Sequence, residues 1–228
     1  MALGDYLASV KARDPAPRSR WEILLYPGVW ALGMHRIAHA FYRADLFFIA
    51  RVVNHTARFL TAIDIHPGAT IGRNLFIDHG FVVIGETAVI GDNVTIYQCV
   101  TLGGTDPANG IPGKRHPTLN DGVIIGSGAQ VLGPIDVGAR ARVGANAVVT
   151  RDVPEGATMV GIPARAVVVD AETYTAFMPY GTPCSQRFDP ETQKLEILRC
   201  ELETLRGRLD QLTRDGTSGT NDDQRQAG

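Results

Sequence analysis

Six residues have types and spacings that suit chemistry: Asp64, His66, Asp78, His79, Arg115 and His116. Histidine is the commonest general base near neutral pH, and it needs a partner to fix its tautomer and to stabilise the imidazolium that forms in turnover. Asp64 and Asp78 are both candidates for that partner. A hydroxyl nucleophile is un-ionised at neutral pH, so its attack on an acyl carbon requires such a base and donors aimed at the developing oxyanion. Taken singly, each residue has a plainer reading. Asp64 and His66 can cap a structural element, Asp78 can fill an outward corner, and Arg115-His116 can be loop residues in water.

What singles out Asp78-His79 is its place in a repeat. Aliphatic residues recur every six positions at Ile65, Ile71 and Ile77; the next is Ile84, seven on, after which Ile90, Ile96 and Leu102 resume the count. A six-residue apolar repeat spaced by Gly, Asp and Asn predicts a parallel β-helix, in which each short strand buries its face only by stacking on neighbouring coils. Asp78 and His79 fall in the slip, where freed backbone N–H groups are candidate oxyanion donors. The repeat pauses at Leu102 for a Gly- and Pro-rich insertion, 103–117, which carries Arg115 and His116. It restarts at Leu119 and runs in register through Ile125, Val131, Val137, Val143 and Val149. At three hexapeptides per turn these positions predict about four coils. Pro154 and Pro163 mark the exit, and 161–169 leave the repeat.

The segments around the coil must hold it in place. Residues 1–62 predict a helical N-terminal cap, beginning with a short helix over 4–12 that Arg13-Asp14-Pro15 ends. Asp14 reads there as a turn residue. Two helices follow between Trp21 and Phe59, split near Arg43-Ala44-Asp45, with Pro27-Gly28 starting or kinking the first. The apolar segment 23–48 is broken by His35, Arg36, His39, Arg43 and Asp45; it falls short of a membrane span and reads as buried helix. After the β-helix domain, 63–169, residues 170–190 read as an irregular connection. The segment 191–214 predicts a helix in which Leu195, Leu198, Leu202, Leu205, Leu209 and Leu212 alternate steps of three and four, as in a coiled-coil seam. It is short enough to need either a body that already gathers chains or the face of its own subunit. The polar tail 215–228 reads as disordered.

A net charge of −2 offers no basic surface for nucleic acid or an anionic membrane. Cys99, Cys184 and Cys200 are spaced neither as a disulfide framework nor as metal ligands. The N-terminus lacks the basic start and apolar core of a secretion signal, so a reducing, cytoplasmic location is expected. Cys99 has no adjacent base in sequence and reads as an interior-facing or coil-packing thiol. His66, His79 and His116 lack the close pair that a γ-type carbonic anhydrase would use, so no metal is expected.

DIHPGATIG at 64–72, FIDHG at 76–80, IGETAVIGDNVTIYQCVTLGG at 84–104 and KRHPTL at 114–119, together with RDPA at 13–16, resemble the serine O-acetyltransferase family of hexapeptide-repeat acyltransferases. The resemblance runs from about residue 5 to residue 168. It implies a left-handed β-helix in a homotrimer with active sites between subunits. It also implies transfer of acetyl from acetyl-CoA to the hydroxyl of L-serine, toward cysteine. By the same resemblance His79 is the base and Asp64 its partner, Asp14 and Asp78 hold the substrate ammonium, Arg115 holds the carboxylate and His116 helps to position it. Gly104, Ser127 and Ala145 match contacts to the pantetheine arm. This division suits a zwitterion, since a guanidinium binds a carboxylate through two parallel hydrogen bonds.

Three departures accompany the resemblance. His79 and Gly85 enclose only five residues, GFVVI, one fewer than in familiar bacterial members. The large N-terminal domain that pairs trimers in longer relatives is nearly absent. The chain ends Gln226-Ala227-Gly228 rather than in the isoleucine that docks cysteine synthase, so docking by that route is not expected. The alternatives are the same chemistry on homoserine or another hydroxy-amino acceptor, and a non-catalytic trimeric scaffold.

Overall fold

The computed structural model describes residues 3–105 and 113–167; the segments 170–190, 191–214 and 215–228, with the leucine seam, lie outside the described residues. Each hexapeptide supplies one very short strand. The first coil is β1 (Asp64–Ile65), β2 (Thr70–Ile71) and β3 (Phe76–Ile77), and the second is β4 (Val83–Ile84), β5 (Val89–Ile90) and β6 (Thr95–Ile96). The third is β7 (Thr101–Gly103), β8 (Thr118–Leu119) and β9 (Ile124–Ile125), and the fourth is β10 (Gln130–Leu132), β11 (Asp136–Val137) and β12 (Arg142–Val143). β13 (Val148–Val149) opens a fifth coil, continued by a bridge from Val153 to Val137 and by β14 (Thr158–Val160) beside β12. This is one coil more than the repeat predicts. The step from Val149 to Val153 is four residues instead of six, so periodicity alone loses the repeat there, although Met159 follows six residues later. β15 (Arg165–Val167) returns antiparallel on β14 and closes the stack.

Equivalent strands stack in parallel to give three faces. Face one is β1-β4-β7-β10-β13, face two is β2-β5-β8-β11, and face three is β3-β6-β9-β12-β14-β15. Every predicted aliphatic position is buried except Ile71, which is partly buried against the same core. A second buried column sits two residues ahead of the first, from Ile63 and Ala69 to Ala141 and Ala147, where small or branched side chains fill the inside of each corner. Truncating a stacked isoleucine to alanine would cost about 2–5 kcal/mol, because a rigid stack collapses little around a void.

Three helices precede the coil: α1 (Leu3–Arg13), α2 (Pro27–Arg43) and α3 (Phe47–Thr61), with a 3-10 turn at Glu22–Leu25. Pro27 opens α2, where its missing N–H is no loss. α2 is amphipathic rather than buried: Ala31, Leu32, His35 and Ala38 face inward, while Trp30 and Ile37 are exposed, as are Leu46, Phe47 and Phe48 beyond it. The helices form a single layer over the coil, so one side of each meets solvent. α2 starts hard against face three, since a Cβ on Gly28 would stand 2.4 Å from the Ile77 carbonyl oxygen. It ends over the corner between faces one and two, where Tyr42 packs on Gly68. α3 is stitched to β1 by buried Asn54, whose amide donates to the Ile65 carbonyl at 2.9 Å and to Asp64 Oδ1 at 3.1 Å.

Candidate active site

The slip in the repeat is absorbed at one corner. Ile77 pairs with Ile96 and Ile84 with Leu102, so the first coil takes one residue more than the second between faces three and one. The surplus is accommodated by left-handed backbone at His79 (φ 61°) and Phe81 (φ 60°), against Cys99 alone (φ 62°) at the equivalent corner of the next coil. The Phe81 N–H bonds the Ala62 carbonyl at 2.7 Å, and the His79 N–H is turned to the Asp78 carboxylate. Neither is free as an oxyanion donor, contrary to the expectation from the slip.

His79 is thereby thrust outward, its side chain 72% exposed, at the mouth of a cleft of about 510 Å³ lined by Arg13, Asp14, Tyr26, Asp78, His79 and Tyr97. Its Nε2 stands 3.6 Å from Asp78 Oδ1, an ion-pair distance too long for a hydrogen bond. Burial raises the Asp78 carboxyl from its ordinary value; His79 opposes that shift and the neighbouring Asp14 charge adds to it. Asp14 is no mere solvated turn residue. Its Oδ2 accepts from the Tyr26 hydroxyl at 2.6 Å and its Oδ1 from the Ala16 N–H at 2.9 Å.

Asp64 is engaged elsewhere. Asn54 donates to its Oδ1, Arg58 Nη1 lies 3.5 Å from its Oδ2, and it lines a neighbouring groove with Phe59, Phe81 and Val83. The acid beside His79 in this arrangement is therefore Asp78, where the resemblance implied Asp64.

Arg115 and His116 occupy a different edge, between faces one and two. Thr87 organises them: its hydroxyl accepts the Arg115 and His116 N–H groups at 2.9 and 3.0 Å and lies 2.9 Å from His116 Nδ1. The Thr87 N–H also donates to Nδ1 at 3.2 Å, so Nδ1 is an acceptor and the ring proton sits on Nε2. Burial lowers the His116 pKa, and Arg115 and Lys114 push the same way, keeping the imidazole neutral. Arg115 pairs with Glu86 Oε2, while the Tyr42 hydroxyl donates to Glu86 Oε1 at 2.9 Å. Burial works against the Glu86 ion, but Tyr42, His66 and Arg115 together hold its pKa below the ordinary value. His66, beside this cluster, accepts the Gly68 N–H on Nδ1 at 3.0 Å.

Gly104 follows β7 on the Arg115 edge. Ser127 and Ala145 lie on the His79 edge, in the third and fourth coils, where the Asn146 N–H bonds the Ser127 carbonyl at 2.8 Å. Cys99 is exposed on the same edge, not interior-facing, because its left-handed corner position turns the side chain outward. Among the described residues, no group of three or more His, Cys, Asp and Glu side chains is arranged to hold a metal ion, and no helix is long and apolar enough to cross a membrane. Sequence reasoning passed over Tyr26, Tyr42, Glu86 and Thr87. Glu86 and Thr87 lie within the GETA stretch and were within reach; nothing in the sequence brings Tyr26 to Asp14.

Known proteins resemble this chain in sequence and fold. The family model for bacterial transferase hexapeptide (six repeats) matches residues 116–151. The serine acetyltransferase of Bacillus pumilus (strain SAFR-032) is 47% identical over 214 residues, covering 93% of this chain and 95% of its own. That of Helicobacter pylori (strain J99) is 56% identical over 166 residues, 72% of this chain and 95% of its own. The chain belongs to the serine acetyltransferase family. Among solved structures, Neisseria gonorrhoeae serine acetyltransferase superposes with a TM-score of 0.68 at 40% identity, over 71% of this chain and 63% of that one. Soybean serine acetyltransferase complexed with serine gives 0.67 at 46% identity, over 71% of this chain and 66% of that one. The chain thus spans just under two thirds of these structural relatives. The family's hexapeptide repeats and solved members fit a left-handed hand for the coil.

Proposed function

We propose that this protein transfers the acetyl group of acetyl-CoA to the hydroxyl of L-serine, giving O-acetyl-L-serine and CoA. One observation carries the reading: Asp14 and Asp78 share a cleft with an exposed imidazole. Two neighbouring carboxylates repel, and a bound ammonium relieves both. An amino acid held by its ammonium there presents its side chain to the base beside them.

The serine carboxylate needs a cation, and Arg115 with neutral His116 supplies one from the edge between faces one and two. No single prism brings its own two edges together. A second copy, seated so that its Arg115 edge faces His79, completes the site, and repetition of that contact closes a trimer. The apolar surface such a seat requires is present: Phe48, Val52 and Phe59 on α3, with Phe81 and Val83 beside them, are 43–89% exposed. The groove between the edges would receive the pantetheine arm along Gly104, Ser127 and Ala145. The corner is pared down to backbone there, since a Cβ on Gly126 would lie 2.7 Å from the Ala145 nitrogen.

His79 Nε2 takes the hydroxyl proton as the oxygen attacks the thioester carbon. The tetrahedral intermediate collapses with cleavage of the C–S bond, and the imidazolium returns its proton to the departing sulfur, so no acyl-enzyme forms. The corner bearing His79 abuts the Thr61–Ala62 turn, two residues before Asp64. Once an ammonium occupies Asp14 and Asp78, the exposed ring is free to exchange Asp78 for Asp64 as its partner. A thiol-release assay with acetyl-CoA tests the reading: L-serine is the preferred acceptor in a panel that includes homoserine, and release no faster than hydrolysis with every acceptor overturns it.

A further inference from the structure

Of the two carboxylates in the cleft, Asp78 is fixed by the strand that precedes it, whereas Asp14 sits in the turn after α1. Its backbone is well anchored. The Asp14 N–H continues the helix to the Val10 carbonyl at 2.9 Å. The preceding Arg13 is clamped onto the coil, donating to the Val94 and Asn74 carbonyls at 3.1 and 3.0 Å with its guanidinium over the Phe76 ring. None of these contacts sets the direction of the Asp14 carboxylate. Two donors do: the Ala16 N–H, a local contact within the same turn, and the Tyr26 hydroxyl, which arrives from another element at 2.6 Å.

Tyr26 is itself held tightly. Its N–H bonds the Ile23 carbonyl at 3.0 Å, its carbonyl accepts the Val29 N–H at 3.0 Å, and Pro27 follows it. Two residues on, Gly28 lies against the Ile77 carbonyl so closely that a side chain there would collide with it. Ile77 immediately precedes Asp78. Tyr26 thus measures the gap between the strand end that carries Asp78-His79 and the turn that carries Asp14. Burial raises the phenol's pKa, with the Asp14 hydrogen bond and charge adding to the shift, so the hydroxyl remains a donor throughout the working range of an imidazole base.

Building on the serine-acetylation reading, we infer that Tyr26 is a positioning residue for the acceptor substrate: its hydroxyl orients the Asp14 carboxylate toward Asp78, so that the two grip one ammonium. The residue acts through Asp14 and takes no part in proton transfer. Removing the hydroxyl alone therefore loosens the grip on the amino acid without touching the thioester or the base.

The test is a double-mutant cycle of Tyr26→Phe and Asp14→Asn, with KM measured separately for serine and acetyl-CoA. Tyr26→Phe is expected to raise the serine KM about tenfold, the size of one well-placed charge-assisted hydrogen bond. The acetyl-CoA KM should stay within about twofold, and the change in kcat should be smaller than that in the serine KM. In the Asp14→Asn background the same substitution should add less than about twofold, because the negative charge that the hydroxyl aims at the ammonium is gone. An unchanged serine KM in Tyr26→Phe overturns the inference, as does an equal rise in both backgrounds, since a packing role would be additive. Should the wild type fail to acetylate serine, the functional reading falls and this inference with it. A wild type that acetylates serine beside an unaffected Tyr26→Phe overturns the inference alone.

Discussion

Gly85 lies directly beneath the His116 ring: a Cβ built on it would stand 1.9 Å from His116 Cδ2 and 2.2 Å from Nε2. No small adjustment relieves so short a contact, since Thr87 holds the far side of the ring. Gly85→Ala should expel His116 from its seat and loosen Arg115, which shares Thr87 with it. The serine KM should rise at least about tenfold with little change in melting temperature. A normal serine KM would show that the His116 ring has no part in holding the acceptor.

His79→Ala should fold normally, because the side chain is mostly exposed, and lose about 10²-fold or more in turnover. The two acids near it should separate kinetically. Asp78→Asn should chiefly raise the serine KM, as expected of an ammonium ligand, while Asp64→Asn should chiefly lower kcat. If Asp64→Asn has wild-type kcat, Asp78 is the only acid that His79 uses.

A site shared between copies makes inactive variants complement one another. His79→Ala and Arg115→Ala chains are each expected to be severely impaired alone. Refolded together in equal amounts, they should recover about a quarter of wild-type activity, since each mixed trimer regenerates one intact edge pair. No recovery would mean that both halves serve the same copy.

Acid should destabilise the fold by a route distinct from catalysis. Burial lowers the His35 pKa from 6.5 to about 4, with His39 and Arg36 adding to the shift, and burial likewise lowers His66 to about 4. Between those values the unfolded chain binds protons that the folded chain refuses, so stability is full above about pH 6.5 and falls as pH drops toward 4. The melting temperature should decline across that window, and His35→Leu should flatten the decline. An identical slope in His35→Leu would remove His35 from the account.

The coil was legible because a prism interior imposes a strict period: Ile65 to Val149 could be counted across the insertion 103–117, and the one-residue slip at Asp78-His79 marked a corner forced into left-handed backbone. The helices were legible from Pro15, Pro27 and the break at Arg43-Ala44-Asp45. What escaped were relations that no period encodes. The fifth coil lost its beat at Val153. Cys99 reads from sequence as an interior-facing or coil-packing thiol, yet its left-handed corner position turns it outward. Tyr26 and Asp14 meet because α2 docks on Ile77, a tertiary event with no local signature. Asp64 follows the family pattern in sequence, yet its carboxylate is held by Asn54 and Arg58 from α3, which a reading of β-helix motifs leaves out.

The additional residue at the His79 corner leaves no trace one strand away: Ile84 still pairs with Leu102, as Ile77 does with Ile96. A ladder of this kind confines a length change to the bend where it occurs, whereas the same change inside a strand would rotate every later side chain from lumen to water. Bends are therefore the places where a solenoid can acquire new reactive groups by lengthening, without renegotiating its core. The bends at Asn74, Asn93 and Arg140, already in the same left-handed geometry, are ready-made positions for grafting further function onto this scaffold.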